Sequence, residues 1–176
     1  EIETQGFQRI VDKQLYNFRY TGVILSHLPS SKIIHTRRNP LDNLLSIYRA
    51  GLPTFYTSNL EETARIIILQ EAAMAEYKKQ WPSNIYTLKY ENLVDSTRNT
   101  LTELINWIGL SWDENYLYSE KNKGPISTAS LYQARKPINK SSVNGWKNYA
   151  SMLEQARVLI KKSGLFEDYN LQKYNH

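Results

Sequence analysis

The stretch of residues 32–46 constrains the fold of this chain more than any other part of the sequence. Residues 32–36 form a short segment that is rich in β-branched residues and bounded by turn residues, which predicts a strand covered on both faces of a sheet. Asn39 and Pro40 follow at once, and they predict the start of a helix because Asn is a good N-cap and Pro suits the first helical position. This helix is expected to end at Gly51.

The rest of the sequence alternates helical and extended patterns. Residues 85–90 predict a second strand, and the long helical segment between the two strands indicates that they are parallel. The predicted helices cover residues 14–28, 41–50, the twenty or so after a capping box at 58–61, 96–108 and 149–163. We therefore predict an α/β fold, a parallel sheet flanked by helices, in one domain over residues 1–176. Because two strands make too small a sheet, we expect the chain to be the second half of that domain, incomplete at its N-terminus.

The junction between the first strand and its helix carries two arginines, Arg37 and Arg38. Ligands bind beyond the carboxyl ends of strands in such sheets, and a guanidinium offers forked donors to phosphate oxygens. The helix N-terminus is expected to add free N–H groups and a positive dipole end, and Ser46, about two turns into the helix, can face the same side. The residues alone leave two interpretations open: an anion site, or ion pairs between these arginines and nearby carboxylates such as Asp42.

The net charge and the composition of the chain limit the classes of molecule that it is expected to bind. Lys and Arg number 22 against 17 Asp and Glu, and the net charge of +5 favours anionic partners such as phosphates or sulfates. Nucleic acid is not expected, because glutamates interrupt the basic residues of the longest predicted helix: Glu61, Glu62, Glu71 and Glu76. We expect no membrane contact, since no apolar run is long enough, and no metal site, since there is no cysteine and no His pair at ligand spacing. A buried core position explains His35. The lack of cysteine and of a signal sequence favours the bacterial cytoplasm.

Four segments together resemble the sulfotransferases that use 3′-phosphoadenosine 5′-phosphosulfate (PAPS). They are residues 12–18, Arg38 with Ser46 eight positions later, residues 90–93, and residues 133–137 followed by Trp146. The first of them resembles most the tyrosylprotein sulfotransferases and the bacterial sulfotransferases that often carry helical repeats. The resemblance covers nearly the whole chain and implies a fold like that of the P-loop nucleotide kinases.

The resemblance also implies roles for individual residues in binding the nucleotide. Arg38 and Ser46 would hold its 3′-phosphate, and Tyr90 would lie near the adenine or the ribose. Ser130 corresponds to a serine that contacts the sulfuryl donor.

Further roles implied by the resemblance concern a loop and a lysine. Lys140, Ser141 and Ser142 fall where cytosolic members of the family have a basic loop on the 3′-phosphate, although the Arg-Lys-Gly of that loop is absent here. Lys13 corresponds to the lysine near the bridging oxygen of the leaving group, and it is the candidate catalytic residue.

The implied reaction is in-line transfer of a sulfuryl group from PAPS, the co-substrate, to an acceptor hydroxyl or amine, without a metal. The family's Gly-rich loop for the 5′-phosphosulfate has no counterpart here, because only Gly6, Gly22 and Gly51 precede residue 100. The catalytic base that usually follows this loop is missing too. An upstream segment, or a helical-repeat region of the same protein, is therefore an expected partner. Alone, the chain is expected to bind the 3′-phosphate end weakly and not to catalyse turnover.

Two other classes of function stay open. A kinase-like phosphate-loop transferase has a similar fold, but it would show a Gly-rich loop with Lys and would use ATP with magnesium. A non-enzymatic basic module that binds polyanions would show a stripe of Lys and Arg, and its binding would fall steeply with salt.

Overall fold

The computed structural model describes residues 9–51, 57–121 and 136–172, and all structural statements below refer to these ranges. Its sheet consists of two parallel strands, β1 (Ile33–Arg37) and β2 (Ile85–Lys89). Ile33 pairs with Ile85 and Arg37 pairs with Lys89, so both strands end at the same edge. This agrees with the predicted α/β fold and with both predicted strands to within one residue at each end.

The helices of the described ranges surround this sheet. They are α1 (Thr21–His27), α2 (Pro40–Ala50), α3 (Leu60–Gln80), α4 (Tyr90–Asp95), α5 (Thr97–Ile108) and α6 (Glu154–Lys162). Short 3-10 turns occupy Asn17–Tyr20, Glu114–Leu117, Ser119–Lys121 and Gly145–Tyr149. None of the helices described combines the length and the apolar character that crossing a membrane would need.

Some helix bounds differ from the sequence prediction. The helix predicted over residues 14–28 is shortened to α1 and the 3-10 turn before it, and the Asn17 side chain there donates to Asp12 at 2.8 Å, a local bond that competes with the helix. Helix α6 begins at Glu154, later than expected, because the chain from Gly145 to Tyr149 forms a 3-10 turn. The cap of α3 is Asn59, one residue beyond the predicted Ser58.

The two faces of the sheet are covered by different helices, as the alternation of side chains along a strand requires. On one face, Glu71 of α3 meets two residues of β1: its Oε1 lies 2.8 Å from Arg37 Nε, and its Oε2 lies 3.8 Å from His35 Nε2. On the other face, the ring of Tyr86 lies 5.3 Å from the ring of Trp107 in α5. The sheet is thus flanked by helices on both sides.

Two apolar clusters hold the helices in place. The larger joins α2, α3 and α6 around the fully buried Trp146, with Leu41, Leu44, Ala64, Leu153 and Ile160 among its members. The smaller consists of Phe18, Leu25, Met74 and Ile85 and seats α1 on α3. A Cβ at Gly22 would lie 2.9 Å from the ring of Tyr77, so α1 can approach α3 this closely only because residue 22 is glycine.

Candidate functional site

Arg38 is the first residue beyond β1, at the edge where both strands end. Its guanidinium carbon lies 4.8 Å from the centroid of the Tyr90 ring, and Tyr90 is the first residue beyond β2. Nη2 donates to the carbonyl oxygen of Ser142 at 2.6 Å, while Nε is buried without a hydrogen-bond partner in the described ranges. In the same ranges Arg38 forms no ion pair with a carboxylate. A guanidinium that an aromatic ring supports and that has no carboxylate at ion-pair distance is suited to bind an anion.

Arg37, the neighbouring arginine, is held inside an ion-pair network. Its Nη1 and Nη2 donate to the two carboxylate oxygens of Asp168 at 2.9 and 3.2 Å, and Nη2 also donates to the carbonyl of Leu165 at 3.2 Å. Its Nε lies 2.8 Å from Glu71 Oε1. The structure therefore divides the two interpretations that the sequence left open: Arg37 pairs with carboxylates, though not with Asp42, and Arg38 does not.

The N-terminus of α2 lacks the free N–H groups that the sequence led us to expect. The Asn39 side-chain oxygen accepts from the N–H groups of Leu41 and Asp42 at 3.0 and 3.3 Å, and Pro40 has no N–H. The N–H of Asn39 itself donates to Glu91 Oε1 at 2.8 Å. That expectation is wrong for these groups, because an N-cap side chain satisfies them. Of the features expected to attract an anion here, the positive end of the helix dipole and the side chain of Arg38 are still available.

Asp42 anchors the C-terminal part of the chain to this edge. Only 3% of its surface is exposed, and its carboxylate accepts from the N–H groups of Asn144 at 2.7 Å and Trp146 at 2.9 Å. Burial raises the pKa of Asp42, while these two hydrogen bonds and the charge of Arg38 act in the opposite direction. Sequence reasoning missed this role. The acidic residue in the first turn of a helix was a visible signal, but its partners lie more than a hundred positions away.

The anchor at Asp42 brings residues 140–142 next to Arg38. The carbonyl of Ser142 accepts the hydrogen bond from Arg38, and the N–H and hydroxyl of Ser141 donate to the Asn139 side-chain oxygen at 3.1 and 2.5 Å. Lys140 is exposed and forms an ion pair with Asp95. The structure thus brings together Arg38, Tyr90 and the three loop residues that the sequence singled out.

Ser46 and Ser130 are not among the described residues that the structure brings next to Arg38. Ser46 lies on the exposed side of α2, beyond the buried residues that pack into the core. Ser130 lies outside the described residues, as do the first three residues of the 133–137 segment.

Lys13 is exposed, and its neighbourhood is defined by the contacts of the segment that precedes α1. Four residues earlier, Arg9 donates to the carbonyl of Ile108 at 2.6 Å, at the end of α5. That helix ends near the start of β1, because Lys32 donates to the carbonyl of Trp107. The segment before α1 is therefore tied to the edge of the sheet opposite Arg38, and none of the contacts among described residues joins Lys13 to Arg38.

A cavity of about 760 Å³ opens on the α3 face of the sheet, and its walls combine apolar residues with charged groups that are already paired. Arg37, Glu71, Lys89 and Asp168 line it, whereas Arg38 does not. His35 also lines it, and burial together with the charges of Arg37 and Lys78 lowers its pKa to about 4. His35 is therefore a neutral, buried core histidine, as expected. Within the described ranges, no group of three or more His, Asp or Glu side chains is placed to hold a metal ion.

Comparison with known proteins gives two findings. A family model described as "Sulfotransferase family" matches residues 2–114 of this chain. A protein of Aquifex aeolicus (strain VF5), described as uncharacterized, is 33% identical over 172 residues, which cover 94% of this chain. The chain spans 23% of the length of that relative. The family match includes Lys13, Arg38, Ser46 and Tyr90, and the loop at residues 140–142 lies beyond it.

Proposed function

The chain belongs to the sulfotransferase family, and from this we propose that it supplies the 3′-phosphate site of an enzyme that transfers a sulfuryl group from PAPS to an acceptor. The acceptor offers a hydroxyl or an amine. Turnover requires further protein, an upstream segment of the same polypeptide, because no glycine-rich loop for the 5′-phosphosulfate occurs in the sequence. The cytoplasm, which the lack of cysteine favours, is the proposed location.

The observation that carries the proposal is the state of Arg38. It stands at the carboxyl edge of a parallel sheet, which is where ligands bind in α/β folds. It is stacked on Tyr90 at 4.8 Å and has one buried nitrogen without a partner among the described residues. The neighbouring Arg37 is neutralised by the carboxylates of Glu71 and Asp168. Arg38 forms no ion pair among the described residues, so its positive charge is available to an anion. An anion with several oxygens, such as a phosphate monoester, would satisfy it.

Three further groups complete the proposed site. The ring of Tyr90 would border the nucleoside, as its place beneath Arg38 permits. Residues 140–142 would close over the phosphate from the other side, with the hydroxyls of Ser141 and Ser142 as donors and Lys140 adding charge. For this the Ser141 hydroxyl would have to leave Asn139, and Lys140 would have to leave Asp95. Ser46 and Ser130 are proposed as further contacts to the nucleotide on the strength of the family resemblance alone.

The proposed reaction needs positioning and electrostatic stabilisation more than covalent chemistry. The acceptor oxygen or nitrogen forms a bond to sulfur, while the bond from sulfur to the bridging oxygen breaks and its electron pair leaves with adenosine 3′,5′-bisphosphate. The acceptor proton goes to a base that upstream residues must supply. Lys13 is proposed to stabilise the bridging oxygen. Its exposed side chain would have to be brought to the nucleotide by that missing part of the site.

The experiment is calorimetric titration of the chain with adenosine 3′,5′-bisphosphate and, in parallel, with AMP, which lacks the 3′-phosphate. We expect the bisphosphate to bind more tightly, and Arg38→Ala to weaken it by about 10- to 100-fold, the value of a charge-assisted hydrogen bond. Arg49→Ala is the matched control, because Arg49 is an exposed arginine at the end of α2, away from the edge of the sheet.

The other outcomes separate the alternative functions. Preference for ATP with magnesium over the bisphosphate would favour a kinase-like transferase. Binding of any polyanion, with equal losses in both arginine variants and a steep fall with salt, would favour a basic binding module. Equal affinity for the bisphosphate and AMP would remove the 3′-phosphate site from the proposal.

A further inference from the structure

Asp168 connects the ends of both strands of the sheet. Its Oδ2 lies 2.9 Å from Nη1 of Arg37, the last residue of β1, and 2.6 Å from Nζ of Lys89, the last residue of β2. Its Oδ1 accepts a second hydrogen bond from Arg37 at 3.2 Å. One carboxylate thus bridges two strands that are paired at this very position, Arg37 with Lys89.

The residues that follow the bridged pair are the ones that form the candidate site. Arg38 comes after Arg37 and Tyr90 comes after Lys89, and their side chains stack at 4.8 Å. We propose that Asp168 is a positioning residue for the nucleotide: by bridging Arg37 and Lys89, it fixes the spacing at which Arg38 and Tyr90 receive the 3′-phosphate. This inference rests on the proposed function.

The carboxylate is itself held firmly, which distinguishes it from an ordinary surface ion pair. Phe166 and Leu171, on either side of it in the sequence, are both buried in the main apolar cluster. The Tyr169 ring lies 5.3 Å from the Arg37 guanidinium and 5.4 Å from Lys89 Nζ. Because these anchors fix the backbone around Asp168, the ion pairs cost less conformational freedom than a pair on an unanchored surface segment.

Electrostatics agree with this arrangement. Burial alone would raise the pKa of Asp168, but the hydrogen bonds from Lys89 and Arg37 lower it below the usual range, so the carboxylate is charged at neutral pH. Its side chain is 35% exposed, whereas that of Arg37 is only 12% exposed. Removal of the Asp168 charge therefore leaves two cations at the strand ends to repel each other, with Arg37 turning toward Glu71 alone.

The test compares Asp168→Asn, which removes the charge and keeps the shape, with Glu167→Gln, which removes the same charge from an adjacent exposed residue. We expect Asp168→Asn to weaken binding of adenosine 3′,5′-bisphosphate about fivefold, the size of one well-formed ion pair, and Glu167→Gln to leave it unchanged. Hydrogen exchange of the backbone amides at residues 37–39, 41 and 89–92 should be faster in Asp168→Asn and unchanged in Glu167→Gln. Asp168→Glu, which keeps the charge, should recover most of the affinity.

The readouts separate positioning from simple destabilisation. A partly unfolded variant lowers the number of sites that calorimetry counts, whereas a displaced Arg38 lowers the affinity of every site. Unchanged affinity in Asp168→Asn, with a wild-type chain that prefers the bisphosphate over AMP, would overturn the positioning role and leave the proposed function standing. A wild-type chain with no such preference would overturn the proposed function, and this inference with it.

Discussion

Arg37 and Arg38 are adjacent in the chain, yet each nitrogen of the Arg37 guanidinium faces an oxygen of Glu71, Asp168 or Leu165, while Arg38 donates to one carbonyl and rests on a ring. The difference follows from the strand. Arg37 is its last residue and points to the face where Glu71 of α3 and Asp168, which follows α6, supply carboxylates, and the next residue must turn away from that face. The same residue type therefore serves stability at one position and leaves an open donor at the next.

Replacement of Arg37 should reduce mainly the stability of the fold, whereas replacement of Arg38 should reduce mainly nucleotide binding. Arg37→Ala is expected to lower the free energy of unfolding by about 2–3 kcal/mol, because it removes the cation that neutralises the largely buried Glu71 and leaves Asp168 with Lys89 alone. Arg38→Ala is expected to cost less than about 1 kcal/mol, since it removes one hydrogen bond and a ring contact. Urea unfolding followed by circular dichroism measures both. Equal losses in the two variants would contradict the division of roles.

Asp42→Ala should release the segment that carries residues 140–146. The N–H groups of Asn144 and Trp146 would lose their acceptor, and we expect a loss of about 2–3 kcal/mol in unfolding free energy. Asp42→Asn should cost less, because its remaining side-chain oxygen can still accept from one N–H. Proteolysis would show the release as cleavage near residue 140 while the rest of the chain stays intact. A variant as resistant as the wild type would show that other contacts hold this segment.

His35 should make the chain less stable in mild acid. Because its pKa is about 4 in the folded state against 6.5 for the free side chain, the unfolded chain binds more protons between these values. The contribution of His35 to the free energy of unfolding is therefore constant above pH 6.5. It falls by up to about 3 kcal/mol as the pH drops from 6.5 toward 4. Glu71, whose pKa burial raises, acts in the opposite direction in acid, so the contribution of His35 must be read from a variant.

The measurement is urea unfolding of the wild type and of His35→Gln between pH 4.5 and 7.5, since Gln cannot titrate. The variant should lose less stability than the wild type across this range. His27→Gln is the matched control for replacing a histidine by glutamine, because His27 is exposed on α1. Identical profiles for the wild type and His35→Gln would contradict a neutral, buried histidine.

The cap of α3 gives a direct test of a corrected prediction. The Asn59 side chain accepts from the N–H groups of Glu61 and Glu62 at 2.9 and 3.0 Å. Asn59→Ala should therefore lower the unfolding free energy by about 1 kcal/mol, and Ser58→Ala should change it by only a few tenths. Thermal unfolding of the two variants decides between the caps, and a larger loss in Ser58→Ala would restore the one that the sequence suggested.

The parts of the fold that the sequence predicted correctly are those with local causes. Both strands were found because their residues are β-branched or alternate, and α2 and α5 end where expected because Gly51 and Gly109 adopt positive φ angles of 56° and 75°. Helix α4 was missed because six residues directly after a strand show no periodicity of their own. The capping box at Ser58 correctly predicted that a helix starts here, but it placed the N-cap one residue too early. Asn is as good an N-cap as Ser, and Asn59 takes this role.

The candidate site was predictable only in part, for a related reason. The position of Arg38 at the end of a strand is a local property, and so is the position of Tyr90. Which arginine is neutralised depends on Asp168, 131 positions from Arg37, and which carboxylate holds the loop depends on contacts of Asp42 across more than a hundred residues. No spacing in the sequence encodes such partners. The prediction of free N–H groups at the start of α2 was wrong for a local reason. The Asn39 side chain caps the helix, and the N–H of Asn39 donates to Glu91.

The pairing of β1 with β2 also sets the order in which this edge can be built. The strands lie side by side, but α2 and α3 separate them in the chain. Ile33 can therefore pair with Ile85 only after both helices and the second strand have been made. Closing so long a loop is entropically costly, and packing of α2 on α3 must offset that cost before the ladder can form. During synthesis, Arg38 leaves the ribosome long before Tyr90 does, and the anchor at Asp42 stays empty until Trp146 has followed. A nascent chain therefore carries Arg38 without its supporting ring until Tyr90 has been made, and without the Ser142 carbonyl until still later.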